Sequence, residues 1–322
     1  MEDFKKQLHN TPIWLINLIS VASGIVTILS PVVGVIVAVT TGEKIKIVTI
    51  VAFITLFAFM CILFFRMKKY RQLAIKRMSI TSEKFHRLSH ESRNVFFDTL
   101  HSYKLNSLTS NELNSRYQGY IGKVLDNLCE VMNSFTEREI CACVKLFTYT
   151  EDEEVIDEND SQLITFCRSN NSDTDRDNYE KHKPKPIFMR DNTDFREIID
   201  DEQEKDYFYK GNLVEYKKEL EKIGKTYRNT NENWSKYYQG TIVVPIRIEF
   251  KRLYHQKKND SYHIIGFLCV DSMSTDAFTE EQENYNVDIV KSYADIIYLL
   301  LSQYKHYLKK LEPVVSNSTQ ST

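Results

Sequence analysis

The sequence predicts an α+β protein, in which an N-terminal transmembrane helical hairpin precedes an antiparallel sheet packed by helices. Three observations support this class. Two long segments, 13–39 and 47–65, contain no charged residue. Two runs rich in β-branched residues, 240–250 and 262–271, are separated by a polar loop too short for a parallel crossover. A helical pattern of apolar residues then continues from Thr279 to Leu311.

Composition sets the broad class of the protein and excludes several others. The chain has 322 residues, of which 42% are hydrophobic and 27% charged, which suits one ordinary domain with attachments. Nine glycines and six prolines exclude fibrous and low-complexity classes. The formal net charge is −2, so the chain lacks the excess positive charge of nucleic-acid-binding proteins. We therefore expect no nucleic-acid partner.

Both apolar segments are long enough to cross a bilayer, which takes about 20 residues. Residues 40–46 join them, so residues 1–66 are predicted to form a two-span hairpin. Pro31 lies inside the first segment and is expected to kink or divide it. The alternatives for this region are a buried core hairpin and a signal peptide cleaved near Ser23.

Basic residues predict the orientation of this hairpin. Six of them follow the second segment before the next acid: Arg66, Lys68, Lys69, Arg71, Lys76 and Arg77. The loop between the segments has only Lys44 and Lys46, beside Glu43. Loops enriched in Lys and Arg stay on the cytoplasmic side, so both termini are expected in the cytoplasm and the chain in a cell inner membrane. The lipid bilayer is thus an expected partner.

Residues 67–108 show an amphipathic helical pattern, with Phe85, Leu88 and Val95 at helical steps among polar residues. This pattern predicts a connector helix between membrane and domain. The C-terminal helix carries a wider apolar stripe than one contact with a sheet needs. We therefore expect a homodimer built on parallel helices.

Residues 109–311 are predicted to form one domain, followed by a disordered tail over 312–322. Its first helix begins at a capping box of Thr109 and Glu112, and a second capping box, of Thr279 and Gln282, begins the last helix. The first two strands are predicted over Glu139–Tyr149 and Gln162–Arg168, ahead of the two β-branched runs. The long polar stretch of about 169–239 is predicted to be an insertion that covers the sheet, and we call it the lid.

The end of the chain resembles a known family. Its motifs are Pro245-Ile246, Ile265-Gly-Phe-Leu-Cys-Val-Asp-Ser272, Phe278-Thr-Glu-Glu281 and Tyr293-Ala-Asp-Ile-Ile297. In this order they are similar to the last part of a GAF domain, a small-molecule sensor module. The resemblance is best over 240–311 and extends, with the lid as an insertion, over 109–311. It implies a ligand pocket between sheet and lid. The residues that mark cyclic-nucleotide-binding and bilin-binding members are not found in that arrangement, which disfavours both ligands.

Five residues are predicted to bind the ligand. Trp234 and Tyr238, where the lid returns to the sheet, offer walls for stacking or hydrogen bonding, and core packing is their alternative. Arg247 lies within an apolar strand, where an unpaired arginine is costly to bury. It therefore meets an anion at the pocket mouth or forms an ion pair with an acid of the lid. Arg168 and Asp271, at the ends of the second and fourth strands, complete the predicted polar rim.

The domain also contains five cysteines, which have two interpretations. They are Cys129, Cys141, Cys143, Cys167 and Cys269. Some members of the GAF superfamily reduce methionine sulfoxide with cysteines, and a redox or metal cluster would use the same residues. Small buried hydrophobic side chains explain the pattern as well, and we favour this interpretation. The sequence has no nucleophile elbow, phosphate-binding glycine loop or zinc pair of Cys-x-x-Cys form, so we expect no catalysis and no metal.

Together these features favour a membrane-tethered, non-catalytic, GAF-like sensor that binds an unidentified small molecule or a partner. One alternative is an effector in which ligand binding reorganises the two spans and perturbs the membrane, which a liposome-leakage assay would detect. A thiol-dependent enzyme on a GAF fold is a third hypothesis, and replacement of each domain cysteine tests it.

Overall fold

The computed structural model describes residues 43–148, 161–172, 187–199, 206–249 and 262–311. The chain divides into two units, Met1–Ile75 and Lys76–Thr322. Several predictions lie outside the described residues. They concern the first apolar segment, the tail, and parts of the lid.

The first unit contains the beginning of a long helix, α1, which covers Glu43–Lys104. The predicted second span lies within this helix. Phe57, Phe64 and Phe65 are exposed to 65%, 63% and 67%. Within the part of the chain that the structure describes, no helix combines the length and the apolar character needed to cross a membrane.

In the second unit, helix α2 covers Ser110–Thr136. The capping box predicted at its start is confirmed. The Thr109 hydroxyl accepts a hydrogen bond from the Glu112 backbone N–H at 3.2 Å, and the Glu112 carboxylate accepts one from the Thr109 N–H at 3.0 Å. These bonds satisfy two donors that a helix leaves open at its N-terminus. At the other end Glu137 takes a left-handed conformation, φ 56°, which stops the helix.

The described residues form a six-stranded sheet in which every neighbouring pair is antiparallel. The strand order is β3-β2-β1-β6-β5-β4. The strands are β1 Cys141–Phe147, β2 Gln162–Arg168, β3 Ile187–Phe188, β4 Phe208–Lys210, β5 Gly240–Glu249 and β6 Tyr262–Ser272. The four predicted strands are thus confirmed, the first of them shorter than expected. The two short edge strands, β3 and β4, come from the lid and were not predicted.

One face of the sheet is covered by α2 and by the last helix, α5, Glu283–Leu311. Tyr293 of α5 is fully buried, and its hydroxyl donates a hydrogen bond to the Asn127 side-chain oxygen on α2 at 2.6 Å. The predicted capping box at Thr279 is wrong, because the Thr279 side chain makes no capping hydrogen bond. Residues Glu280–Gln282 instead form a 3-10 turn, and α5 begins after it.

The end of α1 belongs to the same core. Leu88 is only 2% exposed, and the Phe85 and Tyr293 rings lie 5.1 Å apart between centroids. Tyr103 and Tyr307 make a similar contact at 5.5 Å further along, so α1 and α5 run in the same direction. The C-terminal part of α1 therefore packs in the same core as residues of the predicted domain, 109–311. Part of the wide apolar stripe of α5 is covered by a helix of the same chain.

The lid covers the opposite face of the sheet. It contributes two short helices, α3 Thr193–Ile199 and α4 Leu213–Lys222. Gly224 follows α4 and has φ +72°, a left-handed conformation that favours glycine after the end of a helix. A second apolar core lies between lid and sheet and includes Phe195 of α3, stacked on Phe267 of β6 with 4.7 Å between ring centroids. The sheet is thus buried on both faces.

Gly266 lies where β6 passes closest to β1, and its substitution tests this packing. A Cβ at this position would overlap the Lys145 backbone oxygen and lie 3.0 Å from the Leu146 Cα. Backbone atoms of a central strand cannot move aside, so Gly266→Ala should lower the free energy of unfolding by about 3 kcal/mol. Urea unfolding of the purified protein measures this change.

Gly119 provides the matched control. It lies inside α2, and a Cβ there would meet no atom within 4 Å. Gly119→Ala should raise the free energy of unfolding by up to about 1 kcal/mol, because alanine favours a helix interior over glycine. A Gly266→Ala variant as stable as Gly119→Ala would contradict the close approach of β1 and β6.

Candidate ligand site

Two of the predicted site residues, Arg168 and Asp271, lie on strands that flank β1. Asp271 pairs in register with Cys141 on one side, and Arg168 pairs with Cys143 on the other. Asp271 is 6% exposed, and its carboxylate accepts a hydrogen bond from the Thr241 hydroxyl at 2.7 Å. A buried polar group is thereby satisfied within the sheet.

Cys143 and Cys269 stand directly opposite each other on β1 and β6. A hydrogen bond with Cys269 is the main factor that lowers the pKa of the Cys143 thiol, and the charges of Arg168 and Lys145 act in the same direction. The same hydrogen bond and burial raise the pKa of Cys269. Both side chains are less than 5% exposed. Such burial is typical of structural cysteines, whereas reactive cysteines are partly accessible.

Lys145 and Asp194 are two buried ionisable groups between sheet and lid. Lys145, on β1, is 8% exposed, and its ammonium group lies 3.4 Å from the Thr165 hydroxyl. Asp194, on α3, is 6% exposed. Burial raises the pKa of the Asp194 carboxyl to about 7, and the positive charge of Lys145 opposes this increase. Sequence analysis singled out neither residue. Lys145 is a lone charge in an apolar strand, the signal that was used for Arg247, and the same argument could have found it. Asp194 lies in the polar lid, where an acid carries no distinguishing pattern.

Trp234 and Tyr238 contact each other inside the core between lid and sheet. Their rings lie 5.9 Å apart, and the Tyr227 ring lies 5.3 Å from that of Trp234. The Tyr238 hydroxyl accepts a hydrogen bond from the Asn229 side chain at 2.7 Å. Both predicted residues are less than 10% exposed. Both residues thus lie in the core, which was the alternative to ligand binding expected from the sequence. Their contact with a ligand stays a prediction.

Arg247 forms an ion pair with Asp206, an acid of the lid. Such an ion pair was one of the two roles that the sequence allowed for Arg247. Lys291 of α5 also binds Asp206, at 2.8 Å. Burial opposes ionisation of Asp206, but the hydrogen bond and charge of Lys291, together with Arg247, hold the pKa of its carboxyl below the ordinary value. Arg247 thus ties β5 to the lid. Its role in ligand binding stays a prediction, as do those of Arg168 and Asp271.

A cleft of about 610 Å³ lies within the lid itself. Its walls come from three parts of the lid: α3, β4, and α4 with the segment that follows it. The lining residues are Thr193, Arg196, Glu197, Lys210, Tyr216, Leu220, Gly224, Lys225, Thr226 and Arg228. Sequence analysis missed this cleft, because its residues are spread over more than thirty positions without a motif.

Local contacts fix the shape of the cleft. The Thr193 N–H donates to the Arg228 carbonyl at 3.0 Å, and the Arg228 N–H donates to the Thr193 hydroxyl at 2.8 Å. The Tyr216 hydroxyl donates a hydrogen bond to Glu197. The Lys210 ammonium group lies 4.2 Å from the centroid of the Tyr216 ring, a cation–π distance. Burial and the negative charge of Glu197 raise the pKa of Tyr216, so this residue stays a neutral donor.

Comparisons with known proteins give a distant structural likeness. No protein-family model matches the chain, and no curated protein matches it. A type II free methionine-R-sulfoxide reductase from Thermoplasma acidophilum is similar with a TM-score of 0.32 and 13% identity, covering 58% of this chain and 96% of that one. The GAF domain of a phosphoenolpyruvate-protein phosphotransferase from Coxiella burnetii has a TM-score of 0.34 and 9% identity, covering 62% and 96%. The GAF domain of the phosphoenolpyruvate-protein phosphotransferase from Acinetobacter has a TM-score of 0.31 and 13% identity, covering 65% of this chain and 96% of that one.

The raised pKa of Asp194 predicts a pH dependence of stability. The folded protein retains a proton on Asp194 up to about pH 7, whereas an unfolded chain releases it near about pH 4. Over this window the folded state binds more protons, so Asp194 makes the free energy of unfolding fall as pH rises from about 4 to 7. Asp194→Asn should remove this contribution, so the free energy of unfolding of the variant should fall less between about pH 4 and 7 than that of the wild type. Urea unfolding at several pH values measures it.

Asp288→Asn is the control, because Asp288 is exposed on α5. This variant should keep the wild-type dependence on pH. The interpretation of Asp194 is contradicted if Asp194→Asn and Asp288→Asn show the same decline as the wild type.

Proposed function

We propose that the protein is a membrane-tethered, non-catalytic sensor in which a small molecule binds the cleft of the lid. The cleft is the observation that carries the proposal. Its volume, about 610 Å³, lies within the roughly 300–1,000 Å³ typical of small-molecule sites. Tyr216 and Leu220 supply the aromatic and apolar part of its lining, and most of the other lining residues are polar or charged, so the cleft suits a polar ligand.

The position of the cleft supports a sensor over a simple binding protein. One short helix, α3, contributes Arg196 to the cleft and Asp194 to the buried space above the sheet. A ligand that contacts Arg196 therefore acts on the helix whose Asp194 faces Lys145 of β1. Ligand binding can reach the sheet through this one element without a large rearrangement.

The membrane tether rests on the two uncharged segments of the sequence, 13–39 and 47–65, and on the basic cluster after Phe65. Exposed aromatic side chains on α1, such as Phe57 and Phe64, fit a lipid environment better than water. The proposed location is an inner membrane with both termini in the cytoplasm.

We also propose that the protein forms a homodimer through helices. Two large apolar side chains of the domain support it: Phe97 on α1 is 61% exposed, and Leu299 on α5 is 62% exposed. Because α1 and α5 run in the same direction, a single helical interface could bury both. Light scattering of the detergent-solubilised chain that gave only monomer would contradict it.

A larger side chain in the cleft tests the ligand site. Thr226 is exposed in the cleft wall, and Thr226→Trp should fill much of the space without touching either apolar core. Native mass spectrometry of the full chain should show a co-purified small molecule on the wild type and lose it in the variant. Lys218→Trp, on the exposed side of α4 outside the cleft, should keep it. A ligand retained by Thr226→Trp would place the site elsewhere.

Fusions after Leu311 test the tether and its orientation. Alkaline phosphatase, which needs an oxidising periplasm, should be inactive at this position, and a fluorescent protein should be active. The fluorescent fusion should remain in the membrane pellet after washing with alkaline carbonate. A fusion released by that wash would contradict the tether, and an active phosphatase would reverse the orientation.

A further inference from the structure

The electrostatics of the cleft point to the class of its ligand. Four basic residues, Arg196, Lys210, Lys225 and Arg228, line it against one acid, Glu197. The lining therefore has an excess of three positive charges, in a chain whose formal net charge is −2. We propose that the cleft binds a small anion that carries phosphate or carboxylate groups. This inference rests on the proposed function, because it names the ligand class for the same site.

The four basic residues come from separate elements. Arg196 is on α3 and Lys210 on β4, whereas Lys225 and Arg228 follow α4. A solvated helix face would place its charges on one element and on a convex surface. Here the fold brings cations of different elements around one concavity, where positive potential is focused and like charges repel. A bound anion would relieve this repulsion.

The carboxylates nearby do not neutralise the cleft. Among the described residues, no carboxylate lies within ion-pair distance of any of the four cations. Glu197 accepts a hydrogen bond from Tyr216, which holds one of its oxygens. The Lys210 ammonium group is placed by the Tyr216 ring. Tyr216 thus positions the carboxylate of Glu197 and the ammonium group of Lys210 at the cleft wall.

The two arginines favour an oxyanion as the ligand. A guanidinium group offers paired N–H donors that match phosphate and carboxylate oxygens. The Arg196 and Arg228 side chains are both exposed, which leaves their donors accessible to a ligand. The backbone bonds between Arg228 and Thr193 fix the base of one of these side chains.

Isothermal titration calorimetry of the full chain in detergent tests the inference. The probes are inorganic pyrophosphate, citrate and neutral sucrose. We expect binding of pyrophosphate, citrate or both, but not of sucrose, and the affinity should fall when salt is raised from about 50 to 300 mM. Binding of only one anion would identify phosphate or carboxylate as the recognised group.

Matched variants locate the binding. Arg196→Gln and Arg228→Gln should each weaken the anion's affinity by about tenfold, since each removes a charged hydrogen-bond donor. Lys217→Gln and Lys218→Gln remove exposed charges from α4 outside the cleft and should change the affinity by less than about twofold. Urea unfolding of each variant confirms that it is folded.

The outcomes separate this inference from the proposed function. Heats for both anions that equal those for sucrose overturn the inference. If the co-purified molecule is neutral and is lost in Thr226→Trp, the proposed function stands and the anion inference fails. If the wild type carries no small molecule and binds neither anion, both fail. The anion inference would also be overturned if the cleft variants and the α4 variants weakened the affinity for the anion equally, because the binding would then not depend on the cleft.

Discussion

Burial of the sheet on both faces is the constraint on which the rest of the domain depends. Along β6, Leu268 and Val270 face the helices, whereas Phe267 and Cys269 face the lid. An antiparallel sheet often leaves one face in water, and its strands then alternate between apolar and polar residues. Here the central strands carry apolar residues on both faces, such as Val244 and Val243 of β5, so the lid must stay packed on the sheet. The long polar insertion is therefore a structural layer of the domain.

This packing bears on the proposed ligand site. The space between lid and sheet is occupied by packed side chains such as Phe195, Trp234 and Tyr238. Two polar side chains there, Thr241 and Asp271, are hydrogen-bonded to each other. The cleft lies instead among elements of the lid, where apolar packing is incomplete and charged side chains reach water.

Much of the fold could be predicted from the sequence, and most of the site could not. Strands of seven or more residues, the capping box at Thr109 and the apolar stripe of α5 follow from local patterns. At Thr279 the same local rule failed, because a 3-10 turn precedes the helix. Strands of two and three residues, such as β3 and β4, are too short to show a period. The cleft depends on which lid elements meet in space, and no local pattern contains that information.

The two edges of the sheet have a consequence for how this chain meets other copies of itself. Long exposed edge strands recruit further strands and promote aggregation. Here the outermost strands are β3, with two residues, and β4, with three, and β4 ends at Lys210, a charged residue. Among the described residues, neither of these two strands offers a ladder long enough for stable pairing with a second chain. Growth of the sheet through β3 or β4 is thus unfavourable, whereas α1 and α5 expose large apolar side chains such as Phe97 and Leu299.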